Sequence, residues 1–398
     1  MIDPALNIIR VWDQGSFVRE MGMQKSDSIG SRVEPRIGVL GCGGWGKNII
    51  RTLERVYAVA AIADPGEDAR TLASEIAPSA TVYDDPSKVI DDPTIDAIMI
   101  ATPAQTHFEL AKRAILAGKD VFVEKPLTIE PEESQALTDL AAKHGRVLMV
   151  GHLLEYHPAI LKLRELIESG ELGEIRYVIS NRLNLGKIRT HENALWSFAP
   201  HDIAVLLRLI SGDPIQVVCT GGGYVSPNVA DVTVTQLLFS NGTRGHIFVS
   251  WLHPYKEQKL VIVGSKKMAS FDDVARELVL YDQRVDWCDG HPIPVKGEGT
   301  PVEFDSTSPL DLECLHFVDA VAKGTSPRTD GHDGVKVLNI LHSAQRSMLL
   351  NGSPVSLDAP TGSIPQEGDP VRATESESVA QVVVREGVGE VTGVGARS

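Results

Sequence analysis

The chain of 398 residues is 42% hydrophobic and 23% charged, with a formal net charge of -15, which is ordinary globular composition at about twice the length of one domain. An acidic excess of that size excludes a general nucleic-acid scaffold, which needs a dense basic surface to release counterions from phosphates; a local basic pocket remains open. No apolar run is long enough to cross a bilayer, and Asp3, Asp13, Arg19, Glu20 and Lys25 interrupt the N-terminal segment, so neither a membrane span nor a secretory leader is expected and the expected compartment is the cytoplasm.

In chain order, a Ser/Gly-rich stretch ends at Ser31 and Pro35 follows it, so residues 1–35 read as an extension. From Arg36 short β-rich runs alternate with amphipathic stretches. Strands are expected at 36–40, 58–63, 95–101, 120–123 and 146–150, with helices between them at 45–55, near 67–76, 105–117 and 131–143. This βαβ repetition predicts a doubly wound parallel sheet over 36–152. A helix at 158–168 then leads into longer β-rich runs at 174–185, 232–239, 243–251 and 259–263, with Asn241-Gly242 as a hairpin turn. Helices are expected at 201–210, 310–322 and 335–350, and residues 153–357 read as an α+β domain with a largely antiparallel open sheet. From 358 the chain turns to Gly, Ser, Glu and Val without a helical period and is expected to be a disordered tail. The scattered cysteines Cys42, Cys219, Cys288 and Cys314 imply reduced thiols, with no disulfide framework and no metal site.

The first strand runs into Gly41-Cys-Gly43-Gly44-Trp45-Gly46, a G-x-G-x-x-G turn opening a helix. Gly41 allows the tight turn, Gly43 lets backbone approach a pyrophosphate, and Gly46 lets helix pack on strand, with the helix N-terminus facing the anion. Asp64, 23 residues after Gly41, ends the second strand, where a carboxylate accepts ribose hydroxyls and repels a 2'-phosphate. NAD is therefore expected in preference to NADP. Lys47 is followed by Asn48 rather than Ser or Thr, which disfavours a Walker-type site. The strand ends at Thr102-Pro103, with His107 beyond, and at Glu124-Lys125-Pro126 place those residues at the crevice where open parallel sheets bind ligands. His107 reads equally as a residue that orients its loop. Glu155, Tyr156 and His157 follow the last strand at the domain junction, with His157 as a helix start.

Together, 41–46, Ala101-Thr-Pro-Ala-Gln-Thr-His107, Glu124-Lys-Pro126 and Ala199-Pro-His-Asp202 resemble the Gfo/Idh/MocA family, in the same order over 36–357. The resemblance implies a Rossmann domain followed by an α/β domain whose open sheet serves oligomerisation, here a homodimer or homotetramer. It also implies NAD(P)-linked oxidation or reduction of sugar, inositol or nucleotide-sugar carbons. The family's E-K-P lysine falls on Lys125 and its catalytic histidine on His201. Ser197 stands where the family has an aspartate, which leaves Lys125 with His201, helped by Asp202. Segment 181–203 is similar to the nucleotide-sugar branch, whose members oxidise C3 of UDP-N-acetylglucosamine or of its uronic acid before amination. Arg182, Lys187 and Arg189 then read either as a diphosphate patch or as ordinary strand and loop charges. Tyr156, Arg182, Asn184, Arg189, Asp202, Lys125 and His201 are the expected substrate contacts; 41 and 43–46 with Asp64, Thr102, Pro103, His107, Glu124 and Lys125 are the expected cofactor contacts. Chemically, His201 is the expected base, with Lys125 holding the hydroxyl or exchanging roles with it. Two alternatives share the fold: an inositol or free-sugar dehydrogenase or ketoreductase, and a dinucleotide-binding regulator without turnover.

Overall fold

The computed structural model describes residues 34–357; the expected extension up to residue 33 and the expected tail from 358 lie outside them. The first sheet is built from β1 (Ile37–Leu40), β2 (Ala61–Ala63), β3 (Thr81–Tyr83), β4 (Ala97–Ile100), β5 (Asp120–Glu124) and β6 (Leu148–Gly151). Its spatial order is β3-β2-β1-β4-β5-β6, with every neighbour parallel. That is the Rossmann order, whose reversal between β1 and β4 opens a ligand crevice at the carboxyl ends of the strands. The runs IGVL and AIMI are buried at every position because helices cover both faces. Those helices are α1 (Gly46–Val56), α2 (Glu67–Ile76), α3 (Ser87–Ile90), α4 (His107–Leu116) and α5 (Pro131–His144).

After α6 (Pro158–Glu168) the chain enters β7 (Ile175–Leu185), crosses through α7 (Ala194–Leu209), and continues as β8 (Pro214–Gly222), β9 (Val232–Phe239), β10 (Arg244–Ser250), β11 (Leu252–Gly264), β12 (Met268–Asp272) and β13 (Glu277–Tyr281). A separate hairpin of β14 (Arg284–Cys288) and β15 (His291–Val295) follows, then β16 (Gly299–Pro301), α8 (Pro309–Lys323), α9 (Gly331–Leu349) and β17 (Val355–Ser356). The second sheet runs β16-β13-β12-β11-β7-β10-β9-β8-β17 and is antiparallel apart from the β7·β10 pair. The Asn241-Gly242 turn joins β9 to β10 as expected, with Gly242 at φ 85°. Strands β8 and β12 to β17 and the short β3 were not among those expected.

Two features differ from the expectation in ways that shape the site. α7 begins at Ala194, not His201: the Asn193 side chain accepts from the Trp196 amide (3.1 Å), and the helix continues through Pro200. His201 and Asp202 therefore sit mid-helix and cap nothing. α8, which follows the second sheet in the chain, buries Cys314, Phe317 and Val321 with Phe122 and Met149 of the first sheet; the Phe122 and Phe317 rings meet edge-on at 5.8 Å. The first domain thus borrows its covering helix from beyond residue 152. All four cysteines are unbridged.

Candidate active site

At the dinucleotide end, the glycines occupy positions where other residues clash or where space is needed. Gly41 has φ 94°, and a Cβ there would lie 2.7 Å from the Ala101 carbonyl oxygen; a Cβ on Gly46 would lie 2.1 Å from that of Gly41. At Gly43 and Gly44 a Cβ would meet nothing within 4 Å, so the loop shows bare backbone to open space, as a pyrophosphate requires. α1 starts with no side-chain cap and no acidic residue in its first turn; the Lys47 and Asn48 amides donate to the Gly43 and Trp45 carbonyls, and the positive dipole end remains for an anion. Asp64 accepts from the Cys42 amide through Oδ2 and from the Gly66 amide through Oδ1, both at 2.8 Å. The carboxylate is thereby fixed beside the glycine loop, and its remaining lone pairs are available for ribose hydroxyls. These residues fit NAD. Trp45 is 41% exposed on the same loop, near enough to the Glu124 side chain to lower its pKa against the rise from burial.

His107 is buried, with Nδ1 2.8 Å from the Pro126 carbonyl oxygen and Nε2 3.0 Å from that of Thr102. It bridges the β4 exit to the β5 exit: burial lowers its pKa, and the one N–H of the neutral ring donates to one of the two carbonyls while the other nitrogen only lies near the second, which suits it to orienting these loops. Thr102 shares a hydroxyl contact with Thr106 (2.7 Å), and Pro103 lies exposed beside it.

At the β5 exit the Lys125–Pro126 peptide is cis, and Lys125 Nζ donates to the Ser197 carbonyl (3.3 Å). Burial lowers the Lys125 pKa, opposed by Glu192 and Glu124 and aided by Arg189 and Arg182. Burial pushes Glu124 up to about 7, against the pull of Lys125. Ser197 and His201, four residues apart, share one face of α7. Burial, then Lys125, Arg182 and His152, hold His201 well below the ordinary histidine range, so its ring is neutral and can accept a proton. His201 Nδ1, Ser197 Oγ and Asn184 Oδ1 are sealed from solvent and have no hydrogen-bond partner. Buried polar atoms are rarely left unpaired, and such a group beside a crevice marks a place where a polar ligand or a conformational change completes the bonding.

The remaining expected contacts divide. Arg182 and Asp202 are committed to each other: Nε and Nη2 of Arg182 donate to the two carboxylate oxygens at 2.9 and 3.0 Å, and Ser180 Oγ adds a third bond at 2.7 Å. Their pairing docks α7 on β7, so neither is a substrate contact in this arrangement. Arg189 lies half-exposed in the segment before α7, paired with Glu192, both within electrostatic reach of Lys125. Tyr156 is corrected outright: it is buried in the first domain's core, its hydroxyl meets Thr329 at 3.0 Å, and Arg328 covers its ring. His157 caps α6 by accepting from the Ala159 amide (3.1 Å).

One residue at this site was not expected. His152 directly follows β6, is 2% exposed, and has neither ring nitrogen bonded; burial, Lys125 and Arg208 push it down to about 3. The signal in the sequence was its strand-end position, the same one that marked Lys125.

A dinucleotide loop on one side of the crevice, and an amine and a neutral imidazole on the other, define a nicotinamide-linked oxidoreductase. The family profile described as "Oxidoreductase family, NAD-binding Rossmann fold" matches residues 35–152, and that of the GFO/IDH/MocA C-terminal domain matches 160–270. The chain belongs to the Gfo/Idh/MocA family. It is 28% identical over 307 residues to a UDP-N-acetylglucosamine 3-dehydrogenase of Acidithiobacillus ferrooxidans, covering 77% of this chain and 95% of that one. A solved structure of that dehydrogenase matches with a TM-score of 0.72 at 25% identity, over 80% of this chain and 99% of the other. A scyllo-inositol 2-dehydrogenase (NAD(+)) of Bacillus subtilis is 26% identical over 345 residues, covering 81% and 96%. The protein is an oxidoreductase of this family with an NAD-binding Rossmann domain.

Proposed function

We propose that the chain oxidises a secondary alcohol of a nucleotide sugar, C3 of a UDP-N-acetylhexosamine or its uronic acid, to a keto-sugar. The observation that carries an alcohol-oxidising site is the convergence of Lys125 with Ser197 and His201, whose sealed, unpaired polar atoms line one side of the crevice. The nucleotide-sugar reading is supported by Arg189 and Lys187 in the exposed segment before α7 and by the near-full-length similarity to the UDP-N-acetylglucosamine enzyme. Lys125, as an ammonium, donates to the substrate oxygen and steers charge onto it; neutral His201 takes the hydroxyl proton as the carbonyl forms. Asp64 and the glycine loop would hold NAD, which would supply the hydride acceptor when bound. The overall balance is alcohol plus NAD⁺ giving ketone, NADH and one proton.

A free-sugar or inositol substrate is favoured by a different observation: the guanidinium of Arg182 is already spent on Asp202, which removes one cation from the supposed diphosphate patch. The test is direct. Purified protein with NAD and a panel of UDP-sugars, inositols and free sugars is followed by NADH absorbance and product mass. Loss of two hydrogens from UDP-N-acetylhexosamines alone supports the proposal; oxidation of inositols alone overturns it. Self-association through the outer face of the second sheet belongs to the same reading, supported by exposed Tyr177 and Val234 on strands whose alternate residues fill the core.

A further inference from the structure

β5 and β6 are parallel neighbours with Glu124 opposite Gly151. The next residue on each strand, Lys125 and His152, therefore leaves the sheet at the same level, side by side at its carboxyl edge. Each lacks what the other offers. Among the described residues Lys125 Nζ makes one hydrogen bond, at 3.3 Å to the Ser197 carbonyl, although an ammonium carries three donors. His152 is 2% exposed, and both its nitrogens are sealed and unpaired, although one nitrogen of a neutral imidazole must be an acceptor. A buried imidazole is normally held in one tautomer by such a bond.

We propose that His152 is a positioning residue: the Lys125 amine exchanges between the Ser197 carbonyl and the acceptor nitrogen of His152 with or without substrate, and the bond to His152 keeps the ammonium charged and aimed at the substrate oxygen. His152 suits the task because the cations around it, Lys125 and Arg208, together with burial, keep it neutral. A carboxylate there would bind the ammonium as a fixed ion pair, whereas a neutral acceptor leaves its full charge for the oxygen. The other charged and titratable groups facing Lys125 are Glu124 on its own strand, Arg182 on β7, Arg189 and Glu192 before α7, and His201 on α7. His152 is the neighbour aligned with it by strand register.

The inference rests on Lys125 holding the substrate hydroxyl, but its first test needs no sugar. The pH dependence of trace acetylation at Lys125, read by peptide mass spectrometry, reports when the amine loses its proton. Removing an acceptor of a charged donor should lower that midpoint by about one pH unit in His152→Leu, and His152→Asn, which keeps an acceptor, should recover most of the shift. With a turned-over sugar, the alkaline limb of kcat should move down with the midpoint, while the NAD dissociation constant holds. An unmoved midpoint in a His152→Leu chain that still binds NAD overturns the proposal. Should that variant fail to bind NAD, ¹⁵N-histidine spectra of the unaltered chain decide: the His152 ring signal, assigned from His152→Asn, must move when Lys125→Met is introduced, and a fixed signal overturns the proposal. A shifted midpoint in a protein that oxidises none of the sugars would retain the Lys125–His152 pairing and reject the substrate reading.

Discussion

The two sides of the crevice are finished to different degrees. On the dinucleotide side Asp64 is held by two loop amides, His107 by a backbone carbonyl and the glycine turn by its own backbone fit, while Glu313, within electrostatic reach of Glu124, is the exception with both carboxylate oxygens buried and unpaired. On the substrate side Ser197 Oγ, His201 Nδ1, Asn184 Oδ1 and both nitrogens of His152 are buried and unpaired. Burial without a partner costs on the order of 1–3 kcal/mol per group, a cost a fold tolerates where a ligand or a rearrangement will supply the bonds. The cofactor half is thus largely preorganised, and the side bearing Lys125 and His201 stores unmet hydrogen-bonding capacity, which under the proposed function a polyhydroxylated ligand would fill.

The sharpest way to break this comparison is to damage the unfinished side. Lys125→Met and His201→Ala should each lower turnover by on the order of 10²-fold or more while the NAD dissociation constant stays within error. Near-native rates in either variant would remove that residue from the chemistry. Because burial and neighbouring cations lower the His201 pKa, its neutral form persists below the ordinary histidine pKa of about 6.5. The acid limb of kcat/KM should accordingly lie below that pH; a limb at the ordinary value would show a solvated base.

Damage to the finished side should do the reverse. A methyl group on Gly46 would sit 2.1 Å from the Gly41 carbonyl oxygen, so Gly46→Ala has to displace backbone, and NAD binding should weaken by about 10- to 100-fold, as measured by calorimetry. Asp64→Ala removes both loop bonds and the carboxylate facing the ribose, with about a tenfold loss for NAD and a smaller one for NADP. An unchanged preference between the two would dissociate Asp64 from ribose recognition.

What the sequence made legible follows the same division. The glycine turn, Asp64 and the strand exits are local or periodic features, so 41–46 and Asp64 are legible in their spacing and Lys125 in its strand-end position, with its role in the chemistry implied by the family resemblance. His152 shares that strand-end position, but its significance depends on the β5·β6 register, which brings together residues 27 positions apart. Arg182 was read as a substrate contact although it alternates with Ser180 and Val178 on the face of β7 turned towards α7, where Asp202 claims it. The helix expected at 201–210 begins instead at Ala194, where Asn193 caps it, and runs through Pro200, whose ring ordinarily ends a helix. The place of α8 on the first sheet has no local signal at all.

Tyr156→Phe gives the smallest effect and the cleanest separation of core from cleft. Sequence position placed Tyr156 at the domain junction with the substrate contacts, but its hydroxyl is 3.0 Å from Thr329 Oγ1, which in turn donates to the Val150 carbonyl at 2.7 Å. Removing the hydroxyl deletes its bond to Thr329 and its weak contact with Met149 Sδ (3.8 Å), and leaves Thr329 its other partner. The expected cost is about 1 kcal/mol of stability, a Tm lower by about 3 °C or less, with substrate KM and kcat unchanged. The pairing of Tyr156 with Thr329 ties the turn after β6 to the segment before α9, so the loss should register in thermal melting. A rise in substrate KM without a change in Tm would instead move Tyr156 from the core to the cleft, and with it the boundary between the finished and unfinished halves.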